Sequence, residues 1–290
     1  MTADSDGESG GAVAAAPDSA ERPQLHPGLS PRRRNQISRT IQYAVLVVAA
    51  VAIGLMADWV EVVDKFFRPE YIGDSMPKLF VVGLVNTVLY TVSAYAIGFV
   101  LGIFVALMRM SSAAPNRWIA TVFIEVFRGL PALLVLVLFA FFLPVAYPGF
   151  QLPFGSFGTV ALGLGLVAAA YMAETFRAGI QAVPKGQMEA SRSLGMSYTR
   201  AMFTVILPQA TRIVIPPLTN EAVLLTKDTS LVFAIGVMAS EAELLKFGTD
   251  LANEKGNATP LLLAGLTYLT ITVPLSFAVR RLEARQAKAR

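Results

Sequence analysis

The side chains that carry most enzyme chemistry are almost absent from this 290-residue chain. It has no cysteine and one histidine, His26. That excludes a thiolate nucleophile, a disulfide framework, a cysteine zinc site and any histidine triad or cluster. No Gly-x-x-x-x-Gly-Lys-[Ser/Thr] phosphate loop occurs either, so the chain lacks that means of holding ATP. What remains are charged and amide groups in or beside long uncharged runs: Asn86, Glu125, Arg128, Glu174, Asn220, Glu221, Lys227 and Asp228. Ionisable groups in hydrocarbon are costly and face either a bundle interior or a wet path. Asn220 and Glu221, beside Pro216-Pro217, are the better candidates to line such a path, with Asn86 and Glu125 behind them. Glu125 and Arg128 are three apart on one helical face, which fits a structural pair near the interface better than a contact to cargo. Asp228 fits a cap on the helix that follows it.

A second group lies in the polar stretch 177–203. Pro184 can open a helix, because its missing N–H would be unpaired in a first turn anyway. Gln187 to Leu194 then make about two turns. Gly195 supplies a left-handed stop, and Ser197 can cap the short helix running toward Leu207-Pro208. The first helix carries Met188 and Leu194 as apolar knobs, Ala190 and Ser191 as small contact positions, and Glu189 and Arg192 as charges. Composition alone leaves two readings open, an amphipathic interfacial helix or a docking element for a partner. Glu189 likewise has two, a pair across an interface or a local pair with Arg192.

The elements that position these groups are membrane helices. Hydrophobic residues make up 54% of the chain and charged residues 15%, against about 25% charged in soluble domains. Mean hydropathy is +0.57 and pI about 9.4, with a net charge of +4. A span needs about 20 residues, and uncharged or nearly uncharged runs predict six: about 40–57, 79–108, 118–143, 157–176, 204–226 and 256–279. Pro216-Pro217 is expected to interrupt the fifth, and a short non-crossing helix to follow it. Residues 1–39 read as a disordered tail, since their Gly, Ala, Ser, Pro and Asp cannot bury enough surface to fold. A twin-arginine signal is the rival reading of Arg32-Arg33-Arg34 and the run after them. Met56-Ala57-Asp58-Trp59 is not a small-x-small cleavage site, however, so a retained span is expected.

Loop charge supports this count. Segments at one face carry Arg32 to Arg34 and Arg39, then Arg109 and Arg117, then Arg177, Lys185, Arg192, Arg200 and Arg212, then Arg280, Arg281, Arg285, Lys288 and Arg290. Segments at the other face are acidic or neutral: 58–78 and 227–260 each hold five acids and three bases, and 144–156 hold no charge. The positive-inside bias puts both termini in the cytoplasm. This basicity follows the membrane and does not point to nucleic acid. Small residues recur at four-residue spacing in two spans, Ala94, Gly98, Gly102, Ala106 and Ala161, Gly165, Ala169, Ala173. Such stripes let helix backbones approach closely, within the subunit or between subunits.

Glu189-Ala190-Ser191, then Gly195, then Val205-x-Leu207-Pro208 resembles the EAA loop of ABC importer permeases, with Ser191 and Val205 as conservative departures. The flanks resemble the polar amino acid permeases of the histidine/glutamine/glutamate type. They are Gly83-Leu84-x-Asn86-Thr87, Phe127-Arg128-Gly129-x-Pro131, Tyr171-x-Ala173-Glu174-x-x-Arg177, Pro216-Pro217-Leu218-x-Asn220 and Lys227-Asp228-Thr229-Ser230-Leu231. Leu130 stands where the family usually has Thr. The resemblance covers about residues 79–282. The extra first span and acidic segment resemble the actinobacterial glutamate-transporter subgroup.

That resemblance implies an all-α type I ABC importer permease bundle, with residues 40–78 an added span and outer segment, 79–282 the permease domain and 283–290 a basic cytoplasmic tail. It implies a non-catalytic subunit in a bacterial plasma membrane, without cofactor or metal, that imports a polar amino acid of the glutamate or glutamine kind. The implied partners are a separate ATP-binding subunit, a second permease (identical or paralogous), an extracytoplasmic solute-binding protein and the amino acid itself. Glu189, Ala190, Ser191, Gly195, Leu207 and Pro208 would couple to the ATPase. An amino acid offers an ammonium and a carboxylate, so the path needs an opposite partner for each. The alternative function is an ion-coupled secondary transporter, which calls for intramembrane acids or histidines and often internal repeats. The chain shows no convincing repeat and no acid at the centre of an uncharged run.

Overall fold

The computed structural model describes residues 31–150 and 152–288. The expected tail up to residue 30 lies outside the described residues. The described chain is helical and contains no strand. It divides into two units, one ending at Asp58 and one running from Trp59. The first unit is a single helix, α1 (Pro31–Met56), with no part of its apolar window buried. It opens at Pro31, so residues 31–39, expected in the tail, are helical. Proline suits a first turn, and Thr40 Oγ1 donates to the Gln36 carbonyl inside the helix.

The second unit contains α2 (Trp59–Phe66), α3 (Glu70–Lys78), α4 (Val85–Met110), α5 (Ala114–Gly129), α6 (Ala132–Val137), α7 (Leu143–Ala146), α8 (Ser156–Gln181), α9 (Lys185–Ser193), α10 (Tyr198–Ala201), α11 (Leu207–Asp228), α12 (Leu244–Lys255) and α13 (Thr259–Lys288). Three π-helical segments, Leu79–Leu84, Leu138–Phe142 and Met202–Ile206, join consecutive helices. Each lies two residues from a proline, at Pro77, Pro144 and Pro208 respectively. Proline withholds an N–H from the ladder, and a widened turn is one way to absorb that. At the third, the Leu207 N–H bonds to the Met202 carbonyl, five residues back.

Among the described residues five helical stretches are long and apolar enough to cross a membrane: Arg33–Met56, Glu70–Met110, Ser156–Gln181, Tyr198–Ile235 and Thr259–Arg285. The expected span at 118–143 is not one helix. Ala114–Gly129 and Ala132–Ala146 meet at 104°, and only if the bent pair counts as one crossing are there six. Leu130 ends α5 in an extended conformation, φ −90 and ψ 140. A residue before proline is pushed there by clash with the ring, and Pro131 follows. Conversely, the expected interruption at Pro216-Pro217 is absent, and α11 runs through both. Two missing ladder bonds are tolerated where neighbouring helices support the segment.

The core is built on α4 and α8. The two small-residue stripes pack against each other, which settles their role as packing within the subunit. A Cβ on Gly98 would lie 2.8 Å from the Ala168 Cβ, one on Gly102 2.9 Å from the Met172 Cβ, and one on Gly165 2.8 Å from the Ile97 side chain. Such distances leave no room for a side chain without moving a backbone. Gly102→Leu is therefore expected to destabilise the bundle by about 1–3 kcal/mol or more. The check is a lowered thermal midpoint of the purified protein. Gly54→Leu, where an added Cβ would meet nothing within 4 Å, should not lower it. Tyr90 and Phe157 stack at 4.2 Å between ring centres near one end of this contact.

Candidate functional site

The 104° break positions a cavity that holds charged groups. Arg128, Gly129, Leu130, Pro131 and Ala132 form one wall of a space of about 480 Å³. Leu164, Val167, Ala168 and Tyr171 of α8 form the second wall, and Glu221, Leu224, Leu225 and Asp228 of α11 the third. Arg128 stands over the Tyr171 ring, 5.4 Å from its centre, a cation–π contact that orients the guanidinium. Glu221 and Asp228 are seven residues apart, two turns along one face of α11. The space thus holds one fixed cation and two carboxylates on an otherwise apolar lining.

Of the four residues expected along the path, the structure brings only Glu221 into this cavity. Asn220 is exposed and does not line the cavity, and Glu125 is exposed on α5. Arg128 faces Tyr171 and makes no pair with Glu125. Asp228 makes no side-chain cap on the turn that follows, because α11 continues to Asp228 and leads directly into a 3-10 segment, Thr229–Ile235. Both residues join Glu221 in the cavity instead. Glu174 is tied locally, accepting from Arg177 Nε at 2.9 Å and from its Nη2.

Asn86 is a staple. Its amide donates to the Ser240 carbonyl at 2.9 Å and the Ala242 carbonyl at 3.0 Å. Beside it the Tyr90 hydroxyl donates to the Glu241 carbonyl at 3.0 Å, and Thr87 Oγ1 accepts from the Leu244 N–H at 3.1 Å. These bonds satisfy backbone groups of the segment 240–244, which enters the core at Ala242. Both Asn86 donors are consumed, so this residue holds the segment before α12 rather than offering a free amide to a path.

Glu243 closes the same cluster. It is fully buried, and its carboxylate accepts from the Leu245 N–H at 2.6 Å, the Lys246 N–H at 2.7 Å and the Tyr268 hydroxyl at 2.5 Å. Burial pushes its carboxyl above the ordinary 4.5, while the bonds from Tyr268, Leu245 and Lys246 and the charge of Lys246 oppose the rise. The folded chain therefore binds this proton more tightly than the unfolded chain. The stability it contributes is fully present below 4.5 and is lost as pH rises through the folded value. Glu243→Gln should remove that pH-dependent part, read as thermal midpoints of both proteins from about pH 4 to about pH 8.

At the end of the bundle that carries α9, the expected helix–glycine–helix is present. Pro184 precedes α9 with φ −54 and ψ 131. After it, Gly195 takes φ +81. The Gly195 N–H bonds to the Arg192 carbonyl at 3.0 Å and the Met196 N–H to the Ser191 carbonyl at 3.1 Å, the paired bonds of a Schellman stop. Ser197 accepts from the Arg200 N–H at 3.3 Å and caps α10. Met188 packs toward Val183, Ile206 and Ala210. Ser191 is buried and returns its hydroxyl to the Gln187 carbonyl at 2.7 Å. Glu189 and Ala190 face outward, and Leu194 is 84% exposed. Arg192 bonds to the Met196 carbonyl at 2.8 Å and not to Glu189, so the local pair is not formed. Leu207 and Pro208 open α11 just beyond the π segment.

Residues 98–288 match the family described as binding-protein-dependent transport system inner membrane component. The chain belongs to this family. It is 41% identical to the probable glutamine ABC transporter permease protein GlnM of Bacillus subtilis (strain 168), over 73% of this chain and 95% of that one. It is 37% identical to the glutamate/aspartate import permease protein GltK of Escherichia coli O6:H1 (strain CFT073), over 71% and 92%. Among solved structures it resembles a chain of an amino acid ABC transporter crystallised with histidines. The TM-score is 0.67 at 34% identity, covering 74% of this chain and 97% of that one. The bundle is thus that of a type I ABC importer permease, and this protein is an amino acid ABC permease. Such a permease implies an ATPase partner and a binding protein.

Proposed function

We propose that this chain forms the path of an ATP-driven importer for a polar amino acid, glutamine or glutamate being favoured, and takes its energy from a separate ATPase through α9. The observation that carries this reading is the outward presentation of Glu189, Ala190 and Leu194 on a short helix stopped by Gly195. Leu194 offers an apolar knob beside Glu189 and Ala190, and a groove on the ATPase would cover it. Glu189 supplies a charge for a basic partner residue, and Ala190 lets the two backbones approach. The chain itself performs no catalysis. It pairs with a second permease, identical or paralogous, and receives its amino acid from the extracytoplasmic binding protein. In the cavity Arg128 takes the substrate carboxylate, while Glu221 and Asp228 take the ammonium.

Ala190→Cys tests the docking claim directly, because the chain has no other cysteine. It should cross-link to a cysteine placed in the ATPase groove in proportion to complex formation, and no cross-link would count against docking through α9. The topology that goes with this reading has both termini in the cytoplasm of a bacterial plasma membrane. A cysteine at position 65 should then be labelled by an impermeant reagent only from outside, and labelling from the cytoplasm alone would contradict it.

A further inference from the structure

We propose that α2 is an interfacial strap, with one face seated in the lipid headgroup region of the membrane and its far end fastened to the turn between α12 and α13. Its residues Trp59-Val-Glu-Val-Val-Asp-Lys-Phe66 fall on two sides of a helix. At 100° per residue, Trp59, Val60, Val62, Val63, Phe66 and the following Phe67 occupy one arc, and Glu61, Asp64 and Lys65 the other. Of these apolar side chains Trp59 is 58% exposed, Val63 53% and Phe67 54%, and α2 buries no residue at all.

The occupant of this face follows from its place in the chain. The last residue of α1, whose apolar length suffices to cross a bilayer, is Met56, and α2 opens at Trp59. A chain leaving the hydrocarbon core reaches the headgroup region within two or three residues. An amphipathic helix that starts there, led by a tryptophan and carrying a lysine on its polar side, has the composition of a helix lying in the interface.

The far end of α2 is held by protein. The Asp64 carbonyl accepts from the Asn257 amide at 2.8 Å, and the Lys65 carbonyl from the Ala258 N–H at 2.9 Å. The Arg68 N–H donates to Thr259 Oγ1 at 3.0 Å, and Thr259 is 2% exposed. The last carbonyls of a helix lack partners within it, and here the α12–α13 turn supplies them. The strap thus ties the membrane surface to the hairpin whose opposite end is the Glu243 cluster. It lies before residue 98, where the family match begins, and it is an addition to the transport machinery described above.

Trp118→Phe leaves Trp59 as the sole tryptophan and alters only an exposed side chain of α5. The full chain in phosphatidylcholine–phosphatidylglycerol vesicles should lose at least about half of its tryptophan emission when the lipids are brominated on the acyl carbons nearest the headgroup. Bromination at the acyl terminus should quench less. Adding Val63→Asp and Phe67→Asp to this background should lower the quenching, with the total helix content by circular dichroism unchanged. Emission that brominated lipid leaves unchanged would overturn the proposal. Emission that responds to added binding protein and not to lipid would overturn it too, reassigning the face to a protein contact.

Discussion

Glu189→Lys leaves this permease inserted and abundant but lowers amino acid uptake and transport-linked ATP hydrolysis by more than about tenfold. The residue is exposed on α9 and makes no pair with Arg192, so the substitution disturbs no bond inside the chain. Its whole effect falls on whatever covers the helix. Truncating one partner of a buried interfacial charge pair costs about 2–5 kcal/mol, and inversion adds repulsion. Gly195→Val reaches the same end by another route. A β-branched residue at φ +81 is strained by about 1–3 kcal/mol, and relief of that strain swings α10 away from α9. Pull-down of the ATPase subunit and uptake in the same membranes measure both. Wild-type levels of both readings in both variants would reduce α9 to a helix lying on the membrane surface.

Substitutions in the cavity should separate from these. Arg128→Gln and Glu221→Gln each remove one charge from the space at the α5–α6 break, the second with no change of shape. A hydrogen bond to a charged group is worth about 1.5–3 kcal/mol, so uptake should fall by about tenfold or more in either variant. Association with the ATPase should be unchanged, since α9 is untouched. Asp228→Asn should weaken uptake in the same direction. Normal uptake in the Arg128 and Glu221 variants would remove the cavity from the path.

The parts legible in the sequence are those whose causes are local. Gly195 and Ser197 stop and restart a helix through bonds to residues within five positions, so their spacing alone announces the turn. The break at Leu130-Pro131 was also locally encoded, in the clash that proline imposes on the residue before it. The uncharged run from Gly129 to Ala173 hides it from a reading by charge. The cavity was not legible for a different reason. Arg128, Tyr171, Glu221 and Asp228 meet only through the packing of α5, α8 and α11, and each taken singly has a nearer explanation. Asn86 is the mirror case, since the carbonyls it serves lie at Ser240 and Ala242. The small-residue stripes declared close contact, but only the fold says that each is the partner of the other.

The central claim is that ATP hydrolysis by a separate subunit drives amino acids through this chain. The most direct measurement is accumulation of labelled glutamine and glutamate by proteoliposomes holding the permease with its ATPase, the binding protein being supplied outside. Accumulation that requires enclosed ATP and the binding protein, and that survives collapse of every ion gradient, is the predicted result. Accumulation driven by a proton or sodium gradient in vesicles lacking ATP would contradict it.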